Sequence, residues 1–64
     1  MTKPMYQTYK LPDIGKWMRV EIVGETTEDM KIGRDNYLRT YKMHDARVEY
    51  QTSQSCVIRR YYRM

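Results

Sequence analysis

The sequence has no phenylalanine and only one cysteine (Cys56), one histidine (His44) and one tryptophan (Trp17). A lone thiol cannot close an intramolecular disulfide, and a structural zinc needs about four ligands. Two of the devices that hold small domains together are thereby excluded. Leu, Ile, Val and Phe together number 10 of 64 residues, below the roughly 20% at which a charged chain approaches disorder. A chain this short buries only ~60% of the surface it exposes when unfolded. Both facts favour a homodimer or folding against a partner. No apolar run approaches the ~18–20 residues of a membrane span. The N-terminal MTKPMYQTYK lacks the hydrophobic stretch of a secretory signal. With the lone cysteine, this leads us to expect a cytoplasmic protein with no membrane partner.

In place of aliphatic residues the chain carries seven tyrosines and six methionines. Tyrosine combines a large apolar ring with a polar tip and suits half-buried sheet positions and wet interfaces. The net charge of +4 is unevenly placed: residues 1–33 hold five basic and five acidic groups, whereas residues 34–64 hold seven and three. A one-sided basic surface favours nucleic acid or another polyanion as partner.

Residues 1–15 contain both prolines, Pro4 and Pro12, and no sustained period, and read as an irregular N-terminal arm before a single small β domain at 16–64. From Trp17 the period becomes two: Met18, Val20 and Ile22 alternate with Trp17, Arg19 and Glu21. Further β-prone segments follow in DMKIG, YLRTYK, RVEYQT and CVIRRYY, separated by turn clusters. The expected fold is all-β, a five-stranded meander or small barrel of SH3-like, Sm-like or OB-like kind. A helix over 34–43 is the rival, because Tyr37, Leu38 and Tyr41 also fit a helical stripe.

A three-residue loop at Ser53-Gln54-Ser55 would put Tyr50 opposite Ile58 and Thr52 opposite Cys56, all on the core side. The other face then reads Tyr41, Arg47, Tyr61 in one row and Arg39, Glu49, Arg59 in the next, with Glu49 shared between two arginines. Arg34, Arg60 and Arg63 have no carboxylate in this register. Residues 59–63, Arg-Arg-Tyr-Tyr-Arg, would thus end a sheet face of rings, guanidinium planes and residual positive charge. Such faces stack unpaired bases and hold their phosphates. The candidate contacts are Arg34, Tyr37, Arg39, Tyr41 and Arg47, together with Arg59, Arg60, Tyr61 and Arg63. The alternative is a protein-docking module, an inhibitor or accessory subunit, because Tyr and Arg are also enriched among interface hot spots.

Catalytic chemistry is not legible. His44-Asp45 are adjacent in a polar turn, Ser53 and Ser55 lack a Gly-flanked elbow, and Glu25, Glu28 and Asp29 lack calcium-loop spacing. Gly15, Gly24 and Gly33 form no phosphate-cradling pattern. Neither enzymatic activity nor a cofactor is expected.

Overall fold

The computed structural model describes residues 5–61. Strands β1 (Tyr6–Ile14) and β2 (Trp17–Gly24) form a hairpin, helix α1 (Thr27–Thr40) and a single 3-10 turn (Lys42–His44) follow, and β3 (Arg47–Gln51) and β4 (Ser55–Tyr61) form a second hairpin. The strands make one antiparallel sheet in the order β1-β2-β4-β3, with α1 packed on one face. The sheet is open, so the expected five-stranded barrel is corrected to four strands and one helix.

The first hairpin turns on Gly15 and Lys16. Gly15 has φ 57, at the central position that a II′ turn reserves for glycine. Its far arm is β1, so residues 6–14 are strand rather than an irregular arm. They pair with β2 from Tyr6↔Gly24 to Leu11↔Arg19, then shift register before Ile14↔Trp17. Pro12 sits in that irregular stretch of an edge strand, where the ladder loses little by its missing N–H.

Two segments expected as strands, 29–33 and 37–42, belong instead to α1 and the residues just after it. Thr26 caps the helix, its Oγ1 accepting from the Asp29 backbone N–H at 3.1 Å, and Glu28 and Asp29 complement the dipole in the first turn. Met30, Gly33, Tyr37 and Leu38 then recur at helical spacing, and the structure buries or half-buries all four. Ile32, which a period of two would place on one face with Met30, is left exposed. Gly33 lets the helix lie close to the sheet: a Cβ there would come within 2.6 Å of the Tyr6 ring and 2.9 Å of Ile22 Cγ2.

The second hairpin also departs from expectation. Thr52 N–H donates to the Ser55 carbonyl at 2.8 Å, so the loop has two residues, Ser53 and Gln54. That loop sets Gln51↔Cys56 and Tyr50↔Val57, and carried further it would put Glu49 opposite the buried Ile58. A bulge at Glu49 absorbs the slip and restores Val48↔Ile58 and Arg47↔Arg59. The core is small: Val20, Ile22, Met30, Cys56 and Ile58, with Tyr6, Tyr37, Leu38 and Ala46 packed around them.

Candidate functional site: the uncovered face of the sheet

Because Val20 and Ile22 on β2 and Cys56 and Ile58 on β4 point at the helix, their alternate neighbours point away from it. Trp17, Arg19 and Glu21 on β2 and Val57, Arg59 and Tyr61 on β4 therefore line a face that no described element covers. These are the two central strands of the sheet.

Two rows cross this face side by side. In the first, Trp17 pairs with Tyr61, their rings edge to face with centroids 5.2 Å apart. In the second, Arg19 pairs with Arg59, and Arg59 with Arg47, so three arginines stand in line across three strands. The Arg59 guanidinium lies 4.8 Å from the centre of the Trp17 ring. Its Nε is buried and is the one such side-chain atom among the described residues without a hydrogen-bond partner. Glu49, freed from the ladder by its bulge, reaches across β4 and accepts from Arg19 Nε at 2.9 Å. The expected row Arg39-Glu49-Arg59 does not form, since Arg39 lies on the helix and donates to Asn36 Oδ1 at 3.4 Å.

The other expected contacts are divided between the two sides of the sheet. Arg47, Arg59 and Tyr61 belong to the uncovered face. Arg60 points the opposite way, towards the helix. Its Nε donates to the Tyr37 hydroxyl at 2.8 Å, its Cζ lies 4.1 Å from the Tyr41 ring centre, and its Nη1 is 2.9 Å from His44 Nδ1. Arginine has no acceptor, so in this contact the His44 Nδ1 accepts. Tyr37, Tyr41 and Arg60 thus form one cluster bracing the helix end against β4, with Tyr37 and Tyr41 rings 4.6 Å apart. Arg34, expected to lack a partner, pairs with Asp35 at 2.9 Å and donates to Gln51 Oε1 at 3.1 Å. Arg63 lies outside the described residues.

Sequence reasoning missed Trp17 and Arg19 as members of the face. The signal was present in the alternation of β2. What the sequence did not reveal was that β2 lies beside β4, a pairing made across the intervening helix.

Burial pushes the Cys56 thiol up from its ordinary range, with nearby Arg34 pulling it down and Asp35 raising it. A fully buried, protonated thiol on the helix side packs as a small hydrophobe. No group of three or more His, Cys, Asp or Glu among the described residues could hold a metal ion. No helix among them is long and apolar enough to cross a membrane.

No known protein family, curated protein or solved structure matches this chain.

Proposed function

We propose that the uncovered face of the sheet binds single-stranded nucleic acid, RNA or unpaired DNA. The observation that carries this reading is the arginine row Arg19-Arg59-Arg47 directly beside the Trp17-Tyr61 pair. Like charges opposite one another across strands oppose folding, by about 0.2–1 kcal/mol per pair. Such a row is better accounted for by an anionic ligand than by the stability of the sheet. Rings beside guanidinium groups supply both halves of what a single strand needs, stacking planes for bases and donors for phosphates.

Dimensions favour single strands over duplex. Four strands spaced ~4.8 Å apart span roughly 14 Å, wider than the ~12 Å major groove, which admits a helix or a two-stranded ribbon. Unpaired bases can instead be laid across the face. The net charge of +4 adds long-range attraction to the strand.

The test is a fluorescence titration with a short single-stranded RNA, using Trp17, the only tryptophan in the chain, as reporter. The expected result is a change in Trp17 emission and an affinity that falls as salt rises, with a slope of about 0.7 per phosphate contact. If binding is no tighter than about 10⁻⁴ M at physiological salt, nucleic acid is discarded. The same rings and arginines then belong to a protein partner.

A further inference from the structure

Glu49 pairs with Arg19 of the arginine row, and its position is not dictated by the core. β3 is exposed along its whole length. The bulge is needed to bring Val48 opposite Ile58, but this requirement leaves the side chain at position 49 free in kind. That side chain is a carboxylate that passes over β4 to reach a guanidinium two strands away, a span of roughly 9–10 Å between strand axes. It takes Arg19 at 2.9 Å, while Arg59, lying between them, keeps a buried Nε without a partner. A carboxylate oxygen accepting from arginine has the same chemistry as a phosphodiester oxygen doing so. Both Glu49 and Arg19 keep part of their side chains in water, at 31% and 23% exposure, so the pair can open without unfolding the sheet.

We infer that Glu49 is an internal stand-in for a backbone phosphate: it holds Arg19 in the free protein and is displaced when a phosphate of the bound strand takes its place. The inference rests on the nucleic-acid reading and adds a regulation to it. The face is self-occluded, its affinity is set below what its arginines could deliver, and the release of Arg19 accompanies loading of the strand.

The experiment compares wild type, Glu49→Gln and Glu28→Gln. Glu28 lies in the exposed first turn of α1, away from the row, so its variant makes the same change in net charge without touching Arg19. Two probes are titrated at several salt concentrations: a short single-stranded RNA, and inorganic tripolyphosphate, which has no bases to stack. For Glu49→Gln both probes should bind about two- to fivefold more tightly than to wild type, the upper part of the range expected for removing a surface ion-pair competitor. Glu28→Gln should bind like wild type, within about twofold, as distant exposed charges are largely screened. A second measurement needs no variant: the Glu49 side-chain carboxyl carbon resonance of wild type should move when either probe is added.

The inference is overturned if Glu49→Gln binds no more tightly than wild type, if Glu28→Gln gains as much, or if the Glu49 resonance stays in place as the probe saturates. Wild type binding RNA with no gain in Glu49→Gln removes the inference and leaves the nucleic-acid reading standing. Tripolyphosphate behaving as expected while RNA fails to bind any of the proteins removes the nucleic-acid reading and keeps Glu49 as the occupant of a phosphate site. No binding of either probe to any of the three overturns both.

Discussion

Arg59 lies over the ring of Trp17, its Cζ 4.8 Å from the ring centre, yet its Nε is buried with no hydrogen-bond partner. The contact is therefore attractive and costly at once. A cation–π contact contributes about 0.5–1 kcal/mol when exposed. A buried donor left unpaired costs about 1–3 kcal/mol. Arg19 and Arg47 stand directly opposite on either side and add like-charge repulsion.

The first prediction follows from that balance. Arg59→Leu keeps an apolar stem against Trp17, removes the orphaned donor and breaks the arginine row. It should leave stability unchanged or raise it by about 0.5–1 kcal/mol, roughly 2–8 °C in Tm for a domain of this size, while weakening binding of a single strand. Thermal melting and the RNA titration read the two effects separately. A loss of more than about 1 kcal/mol in the melt, the centre of the distribution for ordinary substitutions, would show that Arg59 serves the fold.

Gly33→Ala should destabilise the protein even though alanine favours helix. The propensity gain is about 1 kcal/mol. Against it stands a Cβ placed 2.6 Å from Tyr6 Cδ1 and 2.9 Å from Ile22 Cγ2. The Tyr6 ring is not free to swing away, because its hydroxyl accepts from Asn36 Nδ2 at 3.2 Å. Overpacking of this kind costs about 1–3 kcal/mol, so against a gain of about 1 kcal/mol a net loss of up to about 2 kcal/mol is expected in urea melts. An increase in stability would mean that α1 does not lie against β1 and β2 as described.

How far these features could be read from the sequence depends on how local their causes are. Alternation from Trp17 to Val23 located β2 and told its two faces apart, because strand period is a property of neighbouring residues. The helix was harder to see. Its buried stripe is Met30, Gly33, Tyr37 and Leu38, with a glycine where an apolar side chain would normally announce the face. Thr26 and the acids after it make a polar stretch between two β-prone segments, and Thr, Glu and Asp in that order are also a helix start. The register of β3 on β4 was misread because the bulge at Glu49 has no glycine to mark it. Arg59 and Tyr61 were placed on the right face, since faces survive a two-residue error in register and flip only with a one-residue error. Their neighbours Trp17 and Arg19 were lost to a non-local pairing that no local pattern encodes.

The pH dependence of stability should carry a mark from Cys56. Burial raises the thiol above its ordinary range in the folded chain. Below about pH 8.5, the ordinary thiol value, the thiol is protonated folded or unfolded and contributes no slope. Above it the unfolded chain loses the proton first, so the folded state binds more protons and stability falls as pH rises. Urea melts at about pH 7.5 and 9.5, either side of that value, should show a larger drop for wild type than for Cys56→Ala. An equal drop in both would mean that the thiol ionises freely in the folded protein. By the same logic a thiol reagent at neutral pH should label Cys56 only as fast as the protein opens.

The division of the expected contacts between two sides of the sheet gives the last prediction. Tyr37 and Tyr41 hold Arg60 on the helix side, by a 2.8 Å hydrogen bond and a ring 4.1 Å away. Tyr61 stands on the other side, edge to face with Trp17. Composition alone treats these tyrosines as equivalent, but their positions do not. Tyr37→Phe deletes one acceptor of a half-buried guanidinium and should cost stability, about 1 kcal/mol, with affinity for a single strand unchanged. Tyr61→Ala removes a stacking plane and should cost affinity, about 1–3 kcal/mol, with the salt slope nearly unchanged because no phosphate contact is lost. Melting each variant first ensures that the titrations compare folded proteins. The opposite pattern, Tyr37→Phe releasing the strand while Tyr61→Ala holds it, would move the binding site to the cleft between α1 and the sheet. In that case Arg60 rather than Arg59 would be the residue that meets the phosphate.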